Sequence, residues 1–226
     1  MTASAVIVAG GSGERFGLKK QFVPLGGVPL IRRAVQAFLS HDAIDVVVVA
    51  VPREDMDLAK QILTDVSPRV HLVQGGGTRQ ESVFNGLAEV EPSGLVLVHD
   101  AVRPLVTREL ISRVLGGIDE ADGCIPVLAV SNTLKEAKAG VVIRTVPRAN
   151  LYEAQTPQAF HAGKILEAHV LARQRGVLDA TDDSALVENA GGVVRTVEGD
   201  PMNIKITVKK DLEMAEALLA CRTVSV

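Results

Sequence analysis

The chain has few of the features that mark a secreted, membrane-spanning or nucleic-acid-binding protein. Its 226 residues include only two cysteines, Cys124 and Cys221, and their separation matches no metal-ligand spacing. We therefore expect two reduced, buried thiols. No apolar run approaches the roughly 20 residues of a membrane span, and the first residues indicate a strand rather than a signal peptide. The formal net charge of −3 gives no general reason to bind nucleic acid or a membrane. These absences predict a cytoplasmic protein whose function depends on a local site.

Apolar segments of strand length alternate with helical patterns along the chain, which is long enough to bury the core of a single domain over residues 1–226. The predicted strands are Ala5–Ala9, Val46–Val51, Val70–Val73, Leu95–Val98, Ile125–Val130 and Val193–Val197. The predicted helices are Leu30–Leu39, Glu54–Asp65, Gln80–Val90, Arg108–Ile118, Lys164–Gln174 and Asp211–Leu219. This alternation predicts an α/β fold, a Rossmann-like, mostly parallel sheet flanked by helices. Ligands of such sheets bind at the carboxyl ends of the strands.

One segment interrupts the alternation. Residues 131–152 contain a short segment of mixed apolar and polar residues around Leu134, a turn at Ala139-Gly140 and a second segment of strand length from Val141 to Val146. This pattern predicts a β-hairpin inserted in the α/β core as a projecting β-arm. Since unpaired strand edges need covering, the arm is either a dimerisation element or a simple surface ribbon.

The first predicted strand is followed by a glycine-rich loop, with Gly10, Gly11 and Gly13, and by two cations, Arg15 and Lys20. Glycines let backbone N–H groups approach a ligand closely, and fixed positive charge beside them favours a polyphosphate. The alternative is an ordinary glycine-rich turn between a strand and a helix.

Two common nucleotide motifs do not fit this loop. A Walker A loop needs Gly-Lys followed by Ser or Thr, but Gly17 is followed by Leu18 and Lys19. The Rossmann fingerprint is one residue too long here, and no acidic residue ends the second strand, which argues against a nicotinamide dehydrogenase. The loop instead resembles the G-G-x-G-x-R…K-Q signature of nucleotidyltransferases that join a sugar phosphate to a nucleoside triphosphate.

Six blocks in order make the resemblance more specific. They are Gly10–Arg15 with Lys20-Gln21, Gly76–Ser82, Val98–Pro104, Thr145–Gln158, Thr181–Ala185 and Asn203–Thr207. With these blocks the chain resembles the 2-C-methyl-D-erythritol 4-phosphate cytidylyltransferase family nearly from end to end. The resemblance implies transfer of CMP from CTP to 2-C-methyl-D-erythritol 4-phosphate, with pyrophosphate as the second product, and a homodimer formed through the 131–152 arm. It also implies Mg²⁺, or another divalent cation, bound mainly through the CTP phosphates.

The resemblance assigns the site residues in three groups. The positions implied to be catalytic are Arg15, Lys20, Arg148 and Lys205. Those implied to bind the nucleotide are Ala9, Gly10, Gly11, Gly13, Gly76, Gly77, Ser82, Asp100 and Ala101. Those implied to bind the sugar phosphate are Thr133, Arg148, Thr156 and Lys205, with Thr133 and Arg148 serving the active site of the neighbouring subunit.

The implied reaction explains why clustered cations, rather than a nucleophilic triad, are present. A phosphate monoester with a second pKa near 6 is largely ionised at neutral pH and needs no general base. The barrier lies in bringing two anions together and in stabilising charge on the transferred group. His99, which precedes Asp100, is then expected to be a hydrogen-bonded structural histidine. Arg103 is expected to order the loop through a salt bridge.

Several alternatives stay open. Ribitol 5-phosphate cytidylyltransferase has the same fold and chemistry, and a non-catalytic nucleotide-binding protein would need the same loop. Asp100 could help to hold Mg²⁺, although direct coordination is not expected. Lys19 stands where the family often has proline, and this extra cation either moves the loop or adds a phosphate contact.

Overall fold

The structure is a computed structural model, and it describes residues 2–10 and 16–224, with side chains up to residue 221. The strands are β1 Ala3–Val8, β2 Pro24–Leu25, β3 Val28–Pro29, β4 Ile44–Val51, β5 Val70–Gln74, β6 Leu95–Asp100, β7 Gly123–Ala129, β8 Leu134–Lys138, β9 Val141–Val146, β10 Tyr152–Ala154, β11 Gln158–His161 and β12 Val194–Glu198. The helices are α1 Leu30–Leu39, α2 Met56–Leu63, α3 Arg79–Leu87, α4 Arg108–Gly116, α5 Ala162–Gln174, α6 Ser184–Asn189 and α7 Lys209–Val224. Short 3-10 turns lie at Lys20–Phe22 and Arg53–Asp55.

Eight strands form one mostly parallel sheet, in the order β10-β7-β11-β6-β1-β4-β5, with β12 paired to β7. Strands β4 and β6 flank β1 in parallel, whereas β10 and β11 run antiparallel to their neighbours. The chain moves from β1 to β4 and β5 on one side, and then returns to β6 on the other side of β1. The order therefore reverses at β1, and such a switch point opens a crevice at the carboxyl ends of the strands.

Both faces of the central strands β1, β4 and β6 are buried, as near-continuous apolar strands require. Ala5 and Ile7 of β1 belong to one apolar core, while Val6 and Val8 belong to the other. A third, smaller core contains Phe16 and residues from β2 and α7. The predicted α/β class, with a mostly parallel sheet flanked by helices, is confirmed.

The inserted hairpin is also confirmed. Strands β8 and β9 pair antiparallel in a two-stranded sheet, and the turn between them has positive φ at Ala139 (49°) and Gly140 (80°), as a tight hairpin turn needs. The apolar residues Val141, Val142 and Ile143 are 68%, 57% and 57% exposed. The first strand of the hairpin begins at Leu134, one residue after Thr133.

Other details differ from the sequence predictions. Strands β10 and β11 and helix α6 were not predicted, because segments of three to six residues are too short to show a period. Cys124 is buried as expected, but Cys221 is exposed, so the prediction of two buried thiols is wrong for Cys221. Within the described residues, no helix combines the length and the apolar character that crossing a membrane requires.

Candidate active site

A cleft opens at the switch point, beside the carboxyl ends of β1 and β6. Its lining contains six residues that the sequence assigns to the site: Ala9, Gly10, Lys20, Ser82, Asp100 and Lys205. Among the described residues, Val8, Gln21, Arg79 and Val102 also line it. Residues distant in the sequence thus meet where an α/β sheet places its ligands.

The remaining predicted residues divide into three sets. Gly11, Gly13 and Arg15 lie outside the described residues. Thr133 and Arg148 are exposed, next to or just beyond the hairpin strands, and do not line the cleft. Gly76, Gly77, Ala101 and Thr156 are not among the lining residues, but they contact or adjoin residues that line the cleft.

The Ser82 hydroxyl joins the two glycine segments of the site. It accepts a hydrogen bond from Gly76 N (3.1 Å) and donates one to the Thr78 carbonyl (2.9 Å). A Cβ atom at Gly10 would lie 3.3 Å from this oxygen, and one at Gly75 would lie 3.0 Å from it. A side chain at Gly10 or Gly75 would therefore crowd the Ser82 hydroxyl, and glycine avoids this contact.

Helix α3 begins at this point with a cap and a cation. Thr78 is the N-cap, and its hydroxyl accepts a hydrogen bond from Glu81 N at 3.1 Å. Arg79 is the first helical residue. A cation is unfavourable at a helix N-terminus, so Arg79 needs nearby anions. Asp100 and Asp183 supply them.

Arg79 joins two buried carboxylates from different elements. Its Nε donates to Asp100 Oδ1 at 3.1 Å, and its Nη1 lies 2.8 Å from Asp183 Oδ2. The second oxygen of Asp100 lies 2.8 Å from Lys205 Nζ and 3.9 Å from Arg103 Nε. Five charges therefore alternate through the wall of the cleft, three of them positive and two negative.

The pairing sets the protonation states of these groups. Burial alone would lower the pKa of Arg79, but the carboxylates of Asp183 and Asp100 raise it above its usual value. Burial would raise the pKa of Asp100, but Arg79 and Lys205 outweigh it, and the pKa is lowered. Asp183 behaves similarly, since Arg79 lowers its pKa against burial. All three groups are charged at neutral pH.

Asp183 is held in place by Gln158 of β11. The Gln158 side-chain carbonyl accepts hydrogen bonds from Asp183 N and Ser184 N, both at 3.2 Å, and its Nε2 donates to Asp182 Oδ2 at 3.0 Å. The unpredicted strand β11 and helix α6 thus bring a buried carboxylate to Arg79 in the cleft wall.

His99 and Thr156 form a second buried chain behind Asp100. His99 Nε2 lies 3.1 Å from the Arg103 carbonyl and therefore carries the proton. Its Nδ1 accepts from Thr156 Oγ1 at 2.9 Å, and Thr156 Oγ1 accepts from Asp100 N at 3.2 Å. Burial lowers the pKa of His99 to about 4. His99 is therefore a neutral, hydrogen-bonded structural histidine, as expected. The proton of the Thr156 hydroxyl is already used within the protein.

The Lys205 segment is fixed from both sides. Arg103 Nη1 donates to the Asn203 carbonyl at 2.8 Å, and Asn203 Nδ2 donates to the Thr156 carbonyl at 2.7 Å. Ile206 is fully buried in the third core. The expected loop-ordering role of Arg103 is confirmed, because its guanidinium joins Asp100 to the segment that carries Lys205.

Ala101 does not present its side chain to a ligand. It is fully buried, and its N–H donates to the Val8 carbonyl at 3.0 Å, which joins the ends of β6 and β1.

The described residues do not form a protein site for a metal ion. No group of three or more His, Cys, Asp or Glu side chains within these residues is arranged to hold a metal. Both oxygens of Asp100 already contact cations. A carboxylate paired in this way is a poor ligand for Mg²⁺.

Sequence reasoning assigned no role to three residues of this site. Arg79 and Asp183 lie in blocks that the resemblance identified, but only the fold shows that they meet. Gln21 directly follows Lys20, is 1% exposed and lines the cleft. Its side-chain amide has no hydrogen-bond partner among the described residues, which is costly for a buried polar group. The sequence could have pointed to Gln21, because it belongs to the Lys-Gln pair of the nucleotidyltransferase signature.

Comparison with known proteins identifies the family of the chain. The family model described as "IspD: 2-C-methyl-D-erythritol 4-phosphate cytidylyltransferase" matches residues 3–221. The chain is 38% identical over 226 residues to the 2-C-methyl-D-erythritol 4-phosphate cytidylyltransferase of Geobacillus kaustophilus, covering 98% of this chain and 99% of the relative. It is 44% identical over 223 residues to the "Bifunctional enzyme IspD/IspF" of Mesorhizobium japonicum, covering 96% of this chain. The chain spans only 55% of that bifunctional relative.

A solved structure of the same family has a similar fold. The crystal structure of 2-C-methyl-D-erythritol 4-phosphate cytidylyltransferase from Thermus thermophilus superposes with a TM-score of 0.80 at 37% identity, covering 96% of this chain and 98% of the other. The match extends over the fold and all the sequence blocks that form the cleft. The chain therefore belongs to the 2-C-methyl-D-erythritol 4-phosphate cytidylyltransferase family.

Proposed function

We propose that the protein transfers CMP from CTP to 2-C-methyl-D-erythritol 4-phosphate. The products are 4-(cytidine 5'-diphospho)-2-C-methyl-D-erythritol and pyrophosphate. Family membership supports this reaction. The observation that carries the proposal is the cleft at the switch point, where Lys20, Arg79 and Lys205 lie beside the glycine segments.

The arrangement suits a reaction between two anions. The ionised 4-phosphate oxygen attacks the α-phosphorus of CTP, the bond to the β-phosphate oxygen breaks, and pyrophosphate leaves. Negative charge accumulates on the transferred group, and fixed cations that are already in place stabilise it without reorganisation. We assign this role to Lys20 and Arg15, of which Arg15 lies outside the described residues.

Ser82 and its glycines fit recognition of the cytosine edge. The Ser82 hydroxyl donates to the Thr78 carbonyl and accepts from Gly76 N, so one lone pair remains to accept a further hydrogen bond. The exocyclic amino group of cytosine is a donor. Ser82 is thereby suited to accept from that group, while the backbone of Gly76 and Gly77 faces the rest of the base.

We assign the substrate phosphate to Lys205 and Arg148. Asp100 holds the Lys205 ammonium at 2.8 Å in the cleft wall, and a guanidinium fork at Arg148 suits a phosphate dianion. The Thr156 hydroxyl already donates a hydrogen bond to His99, so any contact of Thr156 with the substrate uses its remaining lone pair.

Arg148 and Thr133 lie on the exposed arm rather than in the cleft of the same chain. We propose that the arm reaches a second subunit and completes its site, covering the exposed Val141, Val142 and Ile143. Mixing inactive Arg15→Ala and Arg148→Ala subunits tests this dimer, because hybrid dimers would hold one intact site. Recovery of activity on mixing supports the shared site, and no recovery contradicts it.

We propose that a divalent cation enters with CTP and is held by its phosphates. Mg²⁺ typically binds substrate phosphates with only one or two carboxylates, and Asp100 is engaged by cations. The role of the protein is therefore to bind the metal-bearing triphosphate.

The cytoplasmic location and the single-domain organisation over residues 1–226 stay predictions.

The reaction is tested by following pyrophosphate release from CTP with purified protein. We expect release with 2-C-methyl-D-erythritol 4-phosphate, and a nucleotide product whose mass contains one CMP unit. Ribitol 5-phosphate is the matched comparison, because it presents the same phosphate on a different polyol. Faster turnover of ribitol 5-phosphate would reverse the substrate assignment, and no release with either phosphate would contradict the activity.

A further inference from the structure

Two consecutive lysines at the start of the first 3-10 turn contact different neighbours. Lys20 lines the cleft. Lys19 instead extends to the 3-10 turn Arg53–Asp55, which follows β4, and its Nζ lies 2.5 Å from Asp55 Oδ1 and 3.8 Å from Glu54 Oε1. The two side chains therefore serve different partners, although they are adjacent in the chain.

The partner of Lys19 is a buried carboxylate. The Asp55 side chain is 5% exposed, and its Oδ2 has no hydrogen-bond partner among the described residues. Lys19 is thus its principal compensating charge. A buried charge that loses its partner is strongly unfavourable, whereas an exposed pair contributes little. The burial of Asp55 makes this contact more than a surface ion pair.

The backbone of Lys19 also begins the turn that carries Lys20. The Lys19 carbonyl accepts from Phe22 N at 3.0 Å, and the Lys20 carbonyl accepts from Val23 N at 3.0 Å. Phe22 packs against the main apolar core. The turn is therefore anchored at its far end by Phe22 and at its near end by the Lys19–Asp55 ion pair.

We propose that Lys19 is a positioning residue, whose ion pair with Asp55 holds the turn so that Lys20 points into the cleft. This inference rests on the proposed function, since Lys20 is there assigned to the transition state. The competing role for Lys19 is direct contact with the triphosphate. In that case Asp55 would merely neutralise a ligand-binding cation.

The two roles predict different kinetics for Lys19→Met and Asp55→Asn. If the pair positions Lys20, each variant lowers kcat about 10-fold, with the KM for CTP within about 2-fold of wild type. The double variant should lose no more than either single variant, because both remove one interaction. It also removes the unpaired buried charge that Lys19→Met leaves, so it keeps the test valid if that variant is unstable. Lys19→Arg should retain wild-type kcat.

Lys60→Met is the matched control. Lys60 also pairs with a carboxylate of the same region, but its contact with Asp57 is 3.9 Å long and fully on the surface. We expect wild-type kinetics from this variant. Thermal unfolding of every variant shows whether a loss of kcat merely follows a loss of folded protein.

Two results would overturn the proposal. A raised KM for CTP in Lys19→Met, with Asp55→Asn unchanged, would make Lys19 a phosphate ligand. Unchanged kinetics in both variants would show that the pair does not position Lys20. The wild-type reaction separates these failures from failure of the proposed function, because in the latter case wild type itself releases no pyrophosphate.

Discussion

Replacing Asp183 by Asn tests how the buried charges behind the cleft contribute to activity. Asp183 is 1% exposed and lies 2.8 Å from Arg79 Nη1, whereas Arg79 is 23% exposed. Asparagine keeps the shape of the side chain but removes its charge. The group of three cations and two carboxylates then has a net charge of +2 instead of +1. Arg79 is left with Asp100, which also holds Lys205.

The expected magnitude follows from these contacts. Breaking a buried ion pair costs about 3–5 kcal/mol. Because Arg79 is partly exposed and retains one carboxylate, we expect the free energy of unfolding to fall by about 2–3 kcal/mol. Competition between Arg79 and Lys205 for Asp100 misplaces the Lys205 ammonium. We expect kcat/KM for the sugar phosphate to fall about 30-fold, or about 2 kcal/mol.

The assay is pyrophosphate release at saturating CTP with varied sugar phosphate, combined with urea unfolding. Asp119→Asn is the matched control, because Asp119 pairs with Arg195 on the surface, where both side chains are more than half exposed. We expect that variant to have wild-type activity. A kcat/KM within 2-fold of wild type in folded Asp183→Asn would refute the role of this charge group.

Three further predictions follow from individual contacts. The pKa of His99 is lowered to about 4 by burial, so its imidazole stays neutral at pH 5 in NMR spectra. Since the unfolded chain takes up this proton near pH 6.5, His99 lowers the free energy of unfolding by up to about 3 kcal/mol as the pH falls from 7 to 4. An imidazole that titrates near 6.5 would contradict this environment. Gly86→Ala places a Cβ 2.5 Å from Val6 Cγ1, and calorimetry should show a loss of about 1–3 kcal/mol; unchanged stability would mean that α3 shifts freely. Lys20→Ala should lower kcat at least about 100-fold, the usual scale for one transition-state donor, and a rate near wild type would remove Lys20 from the catalytic group.

The layers of the fold were predictable because strong local patterns specify them. Ala5, Val6 and Ile7 form an apolar strand without alternation, which predicts burial on both faces. The hairpin turn at Ala139 and Gly140 was also visible in the sequence. The short strand β11 was not, since four residues show no period, and pairing between β6 and β7 determines its conformation.

The candidate site was predictable only as far as motifs extend. The glycine loop and Lys20 were identified from their spacing, and Asp100 and Lys205 from the resemblance. The pairing of Arg79 with Asp183 was not, because the two residues are far apart in the sequence and only the fold places the start of α3 beside the start of α6. The contact between Lys19 and Asp55 is hidden for the same reason, as it joins the start of one 3-10 turn, Lys20–Phe22, to another, Arg53–Asp55.

The central claim is that this cleft transfers CMP to the phosphate of a specific sugar alcohol. The most direct test measures pyrophosphate release from CTP with 2-C-methyl-D-erythritol 4-phosphate and with ribitol 5-phosphate, in wild type and in Lys205→Met. We predict a higher kcat/KM for 2-C-methyl-D-erythritol 4-phosphate, and a loss of at least about 10-fold in Lys205→Met, the scale for one charged phosphate contact. Preference for ribitol 5-phosphate, or wild-type turnover by Lys205→Met, would contradict the proposed reaction and site.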